Sequence, residues 1–134
     1  MKYSKANYKE FTAARNQMPT EFSVFVTPYT EAEYAEMKAI TYLSKDKQSG
    51  YALVDGELIS VFSLPGAKQG KQAIMDAIKR GANRLDCIDG FLLTFYKAFG
   101  FVEYQRLAWD DQYAPENWDY GQHGRPDIVF MKLS

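Results

Sequence analysis

The chain has 134 residues and a formal net charge of −1, a length that suits one domain with its own hydrophobic core. Its hydrophobic content of 46% and aromatic content of 16% are typical of a globular protein and exclude a disordered one. The near-zero net charge shows no basic signature of a nucleic-acid or membrane-surface protein, and the single cysteine, Cys87, excludes an internal disulfide.

Targeting and metal-binding signals are missing from the sequence. No stretch is apolar and long enough to span a bilayer, and the N-terminus lacks an apolar secretory segment. We therefore expect a cytoplasmic protein without a membrane partner. Because His123 has no potential ligands at useful spacing, no metal site is predicted. Cys87 lies in an apolar run, which favours a buried and inert thiol over a catalytic one.

The first third of the chain predicts two helices around one strand. Residues 6–18 predict a helix that ends before Pro19, and residues 22–27 are rich in β-branched and aromatic side chains, which favours a strand. Thr30 followed by Glu33 matches a capping box at the start of the second helix. The apolar stripe of that helix is expected to consist of Tyr34, Met37, Ile40 and Leu43.

The middle of the chain predicts a hairpin and a strand–helix unit. Residues 51–54 and 58–64 are apolar runs that flank Asp55-Gly56, a strong short-range hairpin signal. A glycine-containing loop follows directly, and residues 71–80 predict a helix with Gly81 just beyond its end.

The last third predicts a further strand and helix, then two closing strands. Residues 85–88 predict a buried strand, and residues 91–99 predict an amphipathic helix that Gly100 ends. Strands are expected at residues 102–109 and 127–133, with a long irregular loop between them. This order predicts a single domain over residues 1–134. Its class would be α/β (α+β), with a mixed, centrally parallel sheet flanked by helices.

The loop at residues 64–71 is a candidate anion site. It joins a strand to a helix N-terminus, where free amides and the helix dipole suit a phosphate. Gly66 and Gly70 let the backbone approach a ligand closely, and Lys68 and Lys71 add positive charge. Taken alone, the same residues also suit a plain strand–helix turn.

The stretch from Asp89 to Phe101 carries a family resemblance. Asp89 ends a strand, and seven residues later Tyr96 stands on a helix in the order Phe-Tyr-x-x-x-Gly-Phe. This unit resembles the last αβ unit of the GNAT N-acetyltransferase superfamily, in which the polar residue is usually Asn. Together with the element order over residues 22–133, the resemblance implies a GNAT-like fold in a divergent, compact member.

The resemblance implies an enzyme that moves an acetyl group from acetyl-CoA to a primary amine, on a small molecule or on a protein lysine or N-terminus. In such enzymes the cofactor loop reads R/Q-x-x-G-x-G/A, whereas this loop has no Arg and matches only through Gly70. The backbone of the preceding strand would pair with the pantetheine arm. The residues expected to hold the cofactor are Phe62, Ser63, Leu64, Gly66, Ala67, Lys68, Gln69, Gly70 and Lys71.

Tyr96 and Asp89 are the catalytic candidates that the resemblance implies. A phenol with an ordinary pKa near 10 is protonated at neutral pH and can donate a proton to a leaving thiolate. Tyr96 is alternatively a core aromatic residue whose hydroxyl bonds a backbone carbonyl. Asp89 would orient water or the amine, or else would cap the helix that follows it.

The loop after residue 109 is long for a turn between neighbouring strands, and loops of this size are often functional. The resemblance implies that it helps form the amine site, with Asp110, Trp118 and Tyr120 as substrate-binding residues. Aromatic and acidic side chains suit a cationic amine. The alternative is a folded Ω-loop in which Trp118 packs on the sheet edge.

Two other function classes remain open at this stage. The degenerate cofactor loop is compatible with a GNAT-shaped protein that has lost catalysis and binds a partner protein. A nucleic-acid modifier on the same fold is also compatible, but the net charge does not favour it. The sequence does not predict an oligomeric state.

Overall fold

The computed structural model describes residues 2–134, and over this range the chain forms seven β-strands, six α-helices and one 3₁₀-helix. The strands are β1 Tyr3–Ala6, β2 Ile40–Ser44, β3 Ser49–Val54, β4 Glu57–Ser63, β5 Arg84–Ile88, β6 Phe101–Leu107 and β7 Ile128–Leu133. The helices are α1 Tyr8–Arg15, α2 Thr20–Ser23, α3 Glu31–Met37, α4 Gly70–Lys79, α5 Phe91–Lys97, α6 Tyr120–His123 and the 3₁₀-helix Asp111–Tyr113. These elements fall into two units, one ending at Asn83 and the other spanning Arg84–Ser134.

The first unit contains an antiparallel sheet in the order β1–β2–β3–β4. The turn between β3 and β4 has positive φ at both Asp55 (48°) and Gly56 (85°), which confirms the predicted hairpin. Helices α1 and α3 cover a core that includes the fully buried Phe11 and Tyr34 and the nearly buried Phe62, and α4 packs against β3 and β4.

The capping box at the start of α3 is confirmed, but the predicted length of that helix is wrong. Thr30 Oγ1 accepts from the Glu33 amide at 3.2 Å, and Glu33 Oε1 accepts from the Thr30 amide at 2.9 Å. The helix ends at Met37 because Lys38 adopts a left-handed conformation with φ 56°. Ile40 begins β2 instead, where pairing with both β1 and β3 outweighs the helical periodicity.

The strand predicted at residues 22–27 is wrong as well. Pro19 precedes the short helix α2, and the chain beyond it stays in turns, with the Val26 amide donating to the Ser23 carbonyl at 3.0 Å. These local bonds satisfy the backbone without a strand partner. The strand β1 was not predicted, and α1 begins only at Tyr8, where the Asn7 side chain caps it.

The second unit contains the strands in the order β5–β7–β6. β5 and β6 are each antiparallel to β7, which lies between them, so they run parallel to each other without being paired. Helix α5 connects them and buries Leu93 and Tyr96, whereas Phe91 is 64% exposed. Within each unit the paired strands are therefore antiparallel.

Candidate functional site

The loop between β4 and α4 is an exposed, tightly turned segment. Gly66 and Lys68 have positive φ values of 85° and 55°, and Gly66, like Lys68, is exposed. The Ala67 amide donates to the Leu64 carbonyl at 3.0 Å, and the Leu64 amide donates to the Gln48 carbonyl at 2.8 Å. The backbone of this loop is thus held from within and from the β2–β3 turn.

Gln69, the residue before α4, anchors the start of that helix. Its side chain is 7% exposed; Oε1 accepts from Ser49 Oγ at 2.6 Å and Nε2 donates to Asp46 Oδ2 at 2.9 Å. Its amide donates to Ser63 Oγ at 3.0 Å. The Tyr3 hydroxyl lies 2.6 Å from Ser49 Oγ, which extends the network to β1. Asp46 carries a lowered pKa because it accepts from Ser44 and Gln69.

The first turn of α4 has the properties of an anion site. The amides of Gly70, Lys71 and Gln72 have no acceptor within the helix, and no N-cap side chain binds them, because Gln69 points to Ser49 and Asp46. The turn contains no acidic residue, and Lys68 and Lys71 flank it. A lysine at the positive end of a helix is unfavourable unless an anion is present. The residues therefore fit a diphosphate.

Strand β4 carries the other predicted cofactor residues. The Phe62 side chain is 2% exposed and belongs to the core, so only its backbone could contact a ligand. Ser63 uses its hydroxyl to accept from the Gln69 amide, and Leu64 is half-buried against the core. Any contact between this strand and a ligand would thus be made by main-chain groups.

Ser60 marks a β-bulge in β4 that sequence reasoning missed. Gly50 pairs with Phe62 and Ala52 pairs with Ile59, so two β4 residues lie opposite the single residue Tyr51. Ser60 has φ 56°, a left-handed conformation that costs a non-glycine residue about 1–2 kcal/mol. Strain of this kind is often concentrated at functional sites.

A hydrogen-bond chain from α1 reaches this bulge. Arg15 Nη1 donates to the Tyr34 hydroxyl at 2.8 Å and to the Tyr29 carbonyl at 2.7 Å, and the Tyr34 hydroxyl lies 2.7 Å from Ser60 Oγ. Arg15 is 7% exposed and Tyr34 is fully buried. The only sequence signal for this series of hydrogen bonds was the position of Arg15 on the otherwise apolar face of α1.

Tyr96, the predicted acid, is buried at 7% exposure between Phe95 and Phe101. Burial raises the pKa of its phenol well above the ordinary value, and the nearby Cys87 and Asp86 raise it further. Among residues 2–134 no hydrogen bond engages the Tyr96 hydroxyl, and no fully buried side-chain oxygen lacks a partner.

Cys87 lies beneath α5 on β5. Burial raises the pKa of its thiol to about 12, with added contributions from Asp86 and Asp89. Its Sγ donates to Met131 Sδ at 4.0 Å. A thiol in this state stays protonated at neutral pH, which fits the prediction of an inert buried cysteine.

Asp89, the second catalytic candidate, is held by an ion-pair cluster. Its carboxylate accepts from Arg106 Nη1 at 2.7 Å; the same guanidinium binds Glu103 at 2.7 Å and Asp127 at 3.3 Å. The capping alternative is wrong, because Gly90 with φ 148° occupies the N-cap position of α5 and no side chain caps that helix. The Asp89 carboxylate thus faces Arg106.

The predicted substrate-binding residues take part in a loop that folds on itself. Trp118 is 9% exposed, donates from Nε1 to the Gly124 carbonyl at 3.0 Å and packs on Trp109 at 4.8 Å. The Tyr120 hydroxyl donates to Asp111 Oδ1 at 2.9 Å, and Asp110 caps the 3₁₀-helix. Arg125 also binds Asp111, which lowers the pKa of that carboxyl.

Comparison with solved structures identifies the fold. An acyl-CoA N-acyltransferase from Pseudomonas aeruginosa matches with a TM-score of 0.65 and 13% identity over 100% of both chains. A Bacillus subtilis acetyltransferase in complex with CoA matches with a TM-score of 0.62 and 18% identity, over 99% of this chain and 97% of that one. A ribosomal-protein-alanine N-acetyltransferase from Brucella melitensis matches with a TM-score of 0.58 and 13% identity over 100% of both chains.

The chain therefore has the fold of the GNAT N-acetyltransferases, and the predicted α/β class and family resemblance are confirmed at the level of fold. No protein-family model and no curated protein matches the chain in sequence. Among residues 2–134, no helix combines the length and the apolar character that a membrane crossing needs.

Proposed function

We propose that this protein is an acyltransferase that moves an acetyl group from acetyl-CoA to a primary amine. The observation that carries the proposal is the first turn of α4, a positively charged helix start with free amides. It belongs to a chain that matches, along nearly its whole length, an acetyltransferase in complex with CoA.

In the proposed site, the loop before α4 holds the diphosphate. The amides from Gly70 to Gln72 donate to its oxygens, and Lys68 and Lys71 neutralise its charge. The buried Gln69 positions these amides through Ser49 and Asp46. The main chain of residues 62–64 would pair with the pantetheine arm, with Ala67 and Gly66 shaping the turn beside it.

The proposed reaction needs a group that protonates the leaving thiolate and a route by which the attacking amine loses its proton. Bound acetyl-CoA supplies the activated acyl carbon. The amine nitrogen forms a C–N bond to that carbon, the C–S bond breaks, and the proton lost by the amine passes to solvent. Tyr96 gives its phenolic proton to the leaving thiolate and recovers one from water. Its raised pKa keeps the phenol protonated and so suits an acid rather than a base.

Asp89 and the long loop are assigned supporting roles. Because Arg106 holds the Asp89 carboxylate, we assign it to orienting water or the amine rather than to abstracting a proton. Tyr120, which is 37% exposed and has the Arg125 guanidinium 4.7 Å from its ring centre, would line the acceptor site. Trp118 would shape the loop, and Asp110 would add negative charge. The acceptor is proposed to be a small-molecule amine or a protein lysine or N-terminus.

Calorimetric titration with CoA and acetyl-CoA tests the proposal. We expect both ligands to bind, and we expect Lys71→Ala to weaken both by roughly ten- to a hundredfold, because a charge-assisted contact contributes about 1.5–3 kcal/mol. Lys79→Ala, at the other end of α4, should bind like the wild type. Thiol release from acetyl-CoA should then appear with at least one amine in a panel.

The two other function classes give different results in the same experiments. A chain that binds neither CoA nor acetyl-CoA at millimolar concentration would contradict the acyltransferase proposal and favour a GNAT-fold protein that binds a partner. Binding to DNA or RNA that weakens steeply with salt would instead favour a nucleic-acid modifier.

A further inference from the structure

Asp111 is the residue on which the long loop between β6 and β7 closes. Its Oδ1 atom accepts from Trp109 Nε1 at 2.9 Å, from the Tyr120 hydroxyl at 2.9 Å and from Arg125 Nε at 3.0 Å. Among residues 2–134, its Oδ2 atom accepts only from Arg125 Nε, at 3.4 Å. Arg125 above all, and then Tyr120, lowers the pKa of this carboxyl, so it is ionised at neutral pH.

Arg125 occupies a site that suits a planar cation. Its Nε atom donates to the Asp111 carboxylate, and its guanidinium carbon lies 4.7 Å from the centre of the Tyr120 ring. A carboxylate and an aromatic face are the two groups that a guanidinium binds best, because it is flat, charged and weakly hydrated. Asp111 and Tyr120 therefore form a guanidinium site, which a residue of the same chain fills.

The contact between Arg125 and this site is weak enough to be exchanged. The side chains of Arg125 and Asp111 are 63% and 58% exposed, and an ion pair in that environment contributes little, because water screens it and a long side chain loses freedom in forming it. The rest of the loop has its own anchor, since Trp118 is 9% exposed and donates to the Gly124 carbonyl at 3.0 Å. Arg125 can thus leave while the loop stays folded.

The loop leads from the guanidinium site to the position proposed for the amine. Asp127 follows Arg125 by two residues, so their Cα atoms lie at most about 7 Å apart. The Asp127 carbonyl accepts from the Asp89 amide at 2.9 Å, and Asp89 is the residue to which we assigned the orientation of the amine. The guanidinium site and the proposed amine position therefore lie on neighbouring segments of the second unit.

We propose that Asp111 and Tyr120 bind a guanidinium group of the acceptor, and that Arg125 holds this site in the free protein until the acceptor displaces it. The acceptor is then an amine that also carries a guanidinium: a small arginine derivative, or a protein N-terminus close to an arginine. The inference rests on the proposed acyltransferase function and names the substrate class for it.

Arg125→Ala vacates the guanidinium site and is the deciding variant. The two tryptophans of the chain, Trp109 and Trp118, both lie in this loop, so their fluorescence reports binding without any turnover. Arginine amide should bind Arg125→Ala roughly three- to fivefold more tightly than the wild type, because the exposed contact that it must displace is worth about that factor. Asp111→Asn should weaken binding by roughly tenfold or more.

Citrulline amide and Lys132→Ala are the matched controls. Citrulline has the shape of arginine without its charge, so its amide should not bind the wild type or Arg125→Ala at the concentrations that suffice for arginine amide. Lys132→Ala removes another exposed cation, which lies 5.4 Å from the centre of the Tyr104 ring and outside the loop, and it should bind like the wild type. Should Arg125→Ala alter the near-ultraviolet circular dichroism of the tryptophans, Arg125→Gln, which keeps part of the side-chain stem, replaces it.

Acetyl transfer distinguishes the two sources of the guanidinium. Arginine amide is compared with citrulline amide, and a peptide that begins with alanine and arginine is compared with its citrulline counterpart. A preference for arginine in the amides indicates a small-molecule acceptor, whereas a preference in the peptides alone indicates a protein N-terminus. Equal rates in both pairs would overturn the proposal.

The binding data keep this proposal separate from the acyltransferase proposal. Arginine amide that binds Arg125→Ala no more tightly than the wild type, or no more tightly than citrulline amide does, would overturn the guanidinium site and leave acyl transfer intact. Selective binding of arginine amide by a protein that binds neither CoA nor acetyl-CoA would support the site and overturn the acyltransferase proposal.

Discussion

The environment of a single side chain determines which proton chemistry Tyr96 can perform. Burial disfavours the phenolate, and the nearby Cys87 and Asp86 disfavour it further, so the pKa is raised above its ordinary value of 10.0. A phenol in this state stays protonated at neutral pH, so it is available as a proton donor and not as a base. Its activity as an acid should persist at alkaline pH until the raised pKa is reached.

Replacing Tyr96 by Phe should lower turnover by on the order of a hundredfold, the lower range for loss of a general acid. The affinity for CoA should stay within about twofold, since only the hydroxyl is removed. Steady-state kinetics and calorimetry measure the two effects. Tyr104→Phe is the control, because Tyr104 is 49% exposed on β6. Unchanged turnover in Tyr96→Phe would remove Tyr96 from the mechanism.

Gly50 is a position at which any side chain meets a crowded sheet. A Cβ atom there would lie 2.5 Å from the Tyr42 carbonyl oxygen, 2.9 Å from Leu43 Cδ2 and 2.9 Å from Phe62 Cε1. The backbone carbonyl cannot move without disturbing the pairing of β2 with β3. The requirement for glycine here comes from space rather than from backbone conformation.

We expect Gly50→Ala to lower the free energy of unfolding by about 3 kcal/mol or more, the upper range for overpacking. Gly66→Ala is the contrast: φ is 85° but no atom lies within 4 Å of the added Cβ, so the cost should be about 1–2 kcal/mol of backbone strain. Urea unfolding measures both. Equal losses would show that the contacts around Gly50 relax freely.

At the scale of elements, the start of α4 is the point at which three parts of the first unit meet. Tyr3 of β1, Ser49 of β3 and Asp46 of the β2–β3 turn all connect to Gln69, directly or through Ser49. Helix α4 makes a second contact with the sheet through Arg80. The Arg80 guanidinium donates to the Tyr3 carbonyl at 2.8 Å, and its carbon atom lies 4.5 Å from the centre of the Tyr42 ring. The start of α4 is thus held by β1, by β3 and by the β2–β3 turn.

Gln69→Ala should therefore affect both stability and ligand binding. Loss of the buried amide removes one hydrogen-bond partner from Ser49 and one from Asp46, and it should cost about 1–3 kcal/mol in urea unfolding. CoA should bind more weakly because the first turn of α4 is no longer held in place. Gln17→Ala, at an exposed glutamine outside the loop and outside α4, is the control. A Gln69→Ala protein with unaltered CoA affinity would mean that the loop is rigid on its own.

Elements encoded locally were the ones that the sequence allowed us to predict. The Asp55-Gly56 turn and the Thr30–Glu33 box each depend on residues at most three apart, and both are confirmed. Strand β1 was not predicted because Tyr3–Ala6 is short and has no β-branched residue, and β2 was not predicted because Ile40 and Leu43 continue the helical spacing of Tyr34 and Met37. The strand predicted at residues 22–27 is wrong because an apolar composition does not by itself provide a second strand to pair with.

In the candidate site, too, features that depend on neighbouring residues could be predicted and features that depend on distant residues could not. The loop residues from Gly66 to Lys71 could be selected from the sequence because glycine, lysine and a helix start lie together in the chain. The Arg15–Tyr34–Ser60 chain could not, since its members are separated by 19 and 26 residues and meet only in the folded unit. No residue pattern in this apolar strand predicts the left-handed conformation of Ser60.

For the molecule as a whole, acid sensitivity follows from its carboxylates. Hydrogen bonds lower the pKa of Asp46, mainly from Ser44, of Glu103, mainly from Arg106, and of Asp111, mainly from Arg125. A carboxyl whose folded pKa is depressed stabilises the fold above its unfolded pKa, and this contribution is lost as pH falls through the folded value. All three carboxyls therefore stabilise the folded protein at neutral pH and lose that contribution on acidification.

We expect the melting temperature to be level near neutral pH and to fall as the pH drops below the ordinary carboxyl values of 4.5 for Glu and 3.8 for Asp. Differential scanning calorimetry across this range measures the slope. Asp111→Asn should flatten it, whereas Glu36→Gln, on the exposed face of α3, should not. A melting temperature that rises on acidification would contradict the assignment.

The outermost strand of the second unit, β6, has a consequence for how the protein behaves when crowded. A regular edge strand offers its free amides and carbonyls to any other chain with a similar edge, which is how fibres begin. In β6 the register shifts between Glu103 and Gln105, and Glu103 and Arg106 place charges along the border. A kinked, charged border is a poor template, so concentrated solutions should stay free of ordered aggregates.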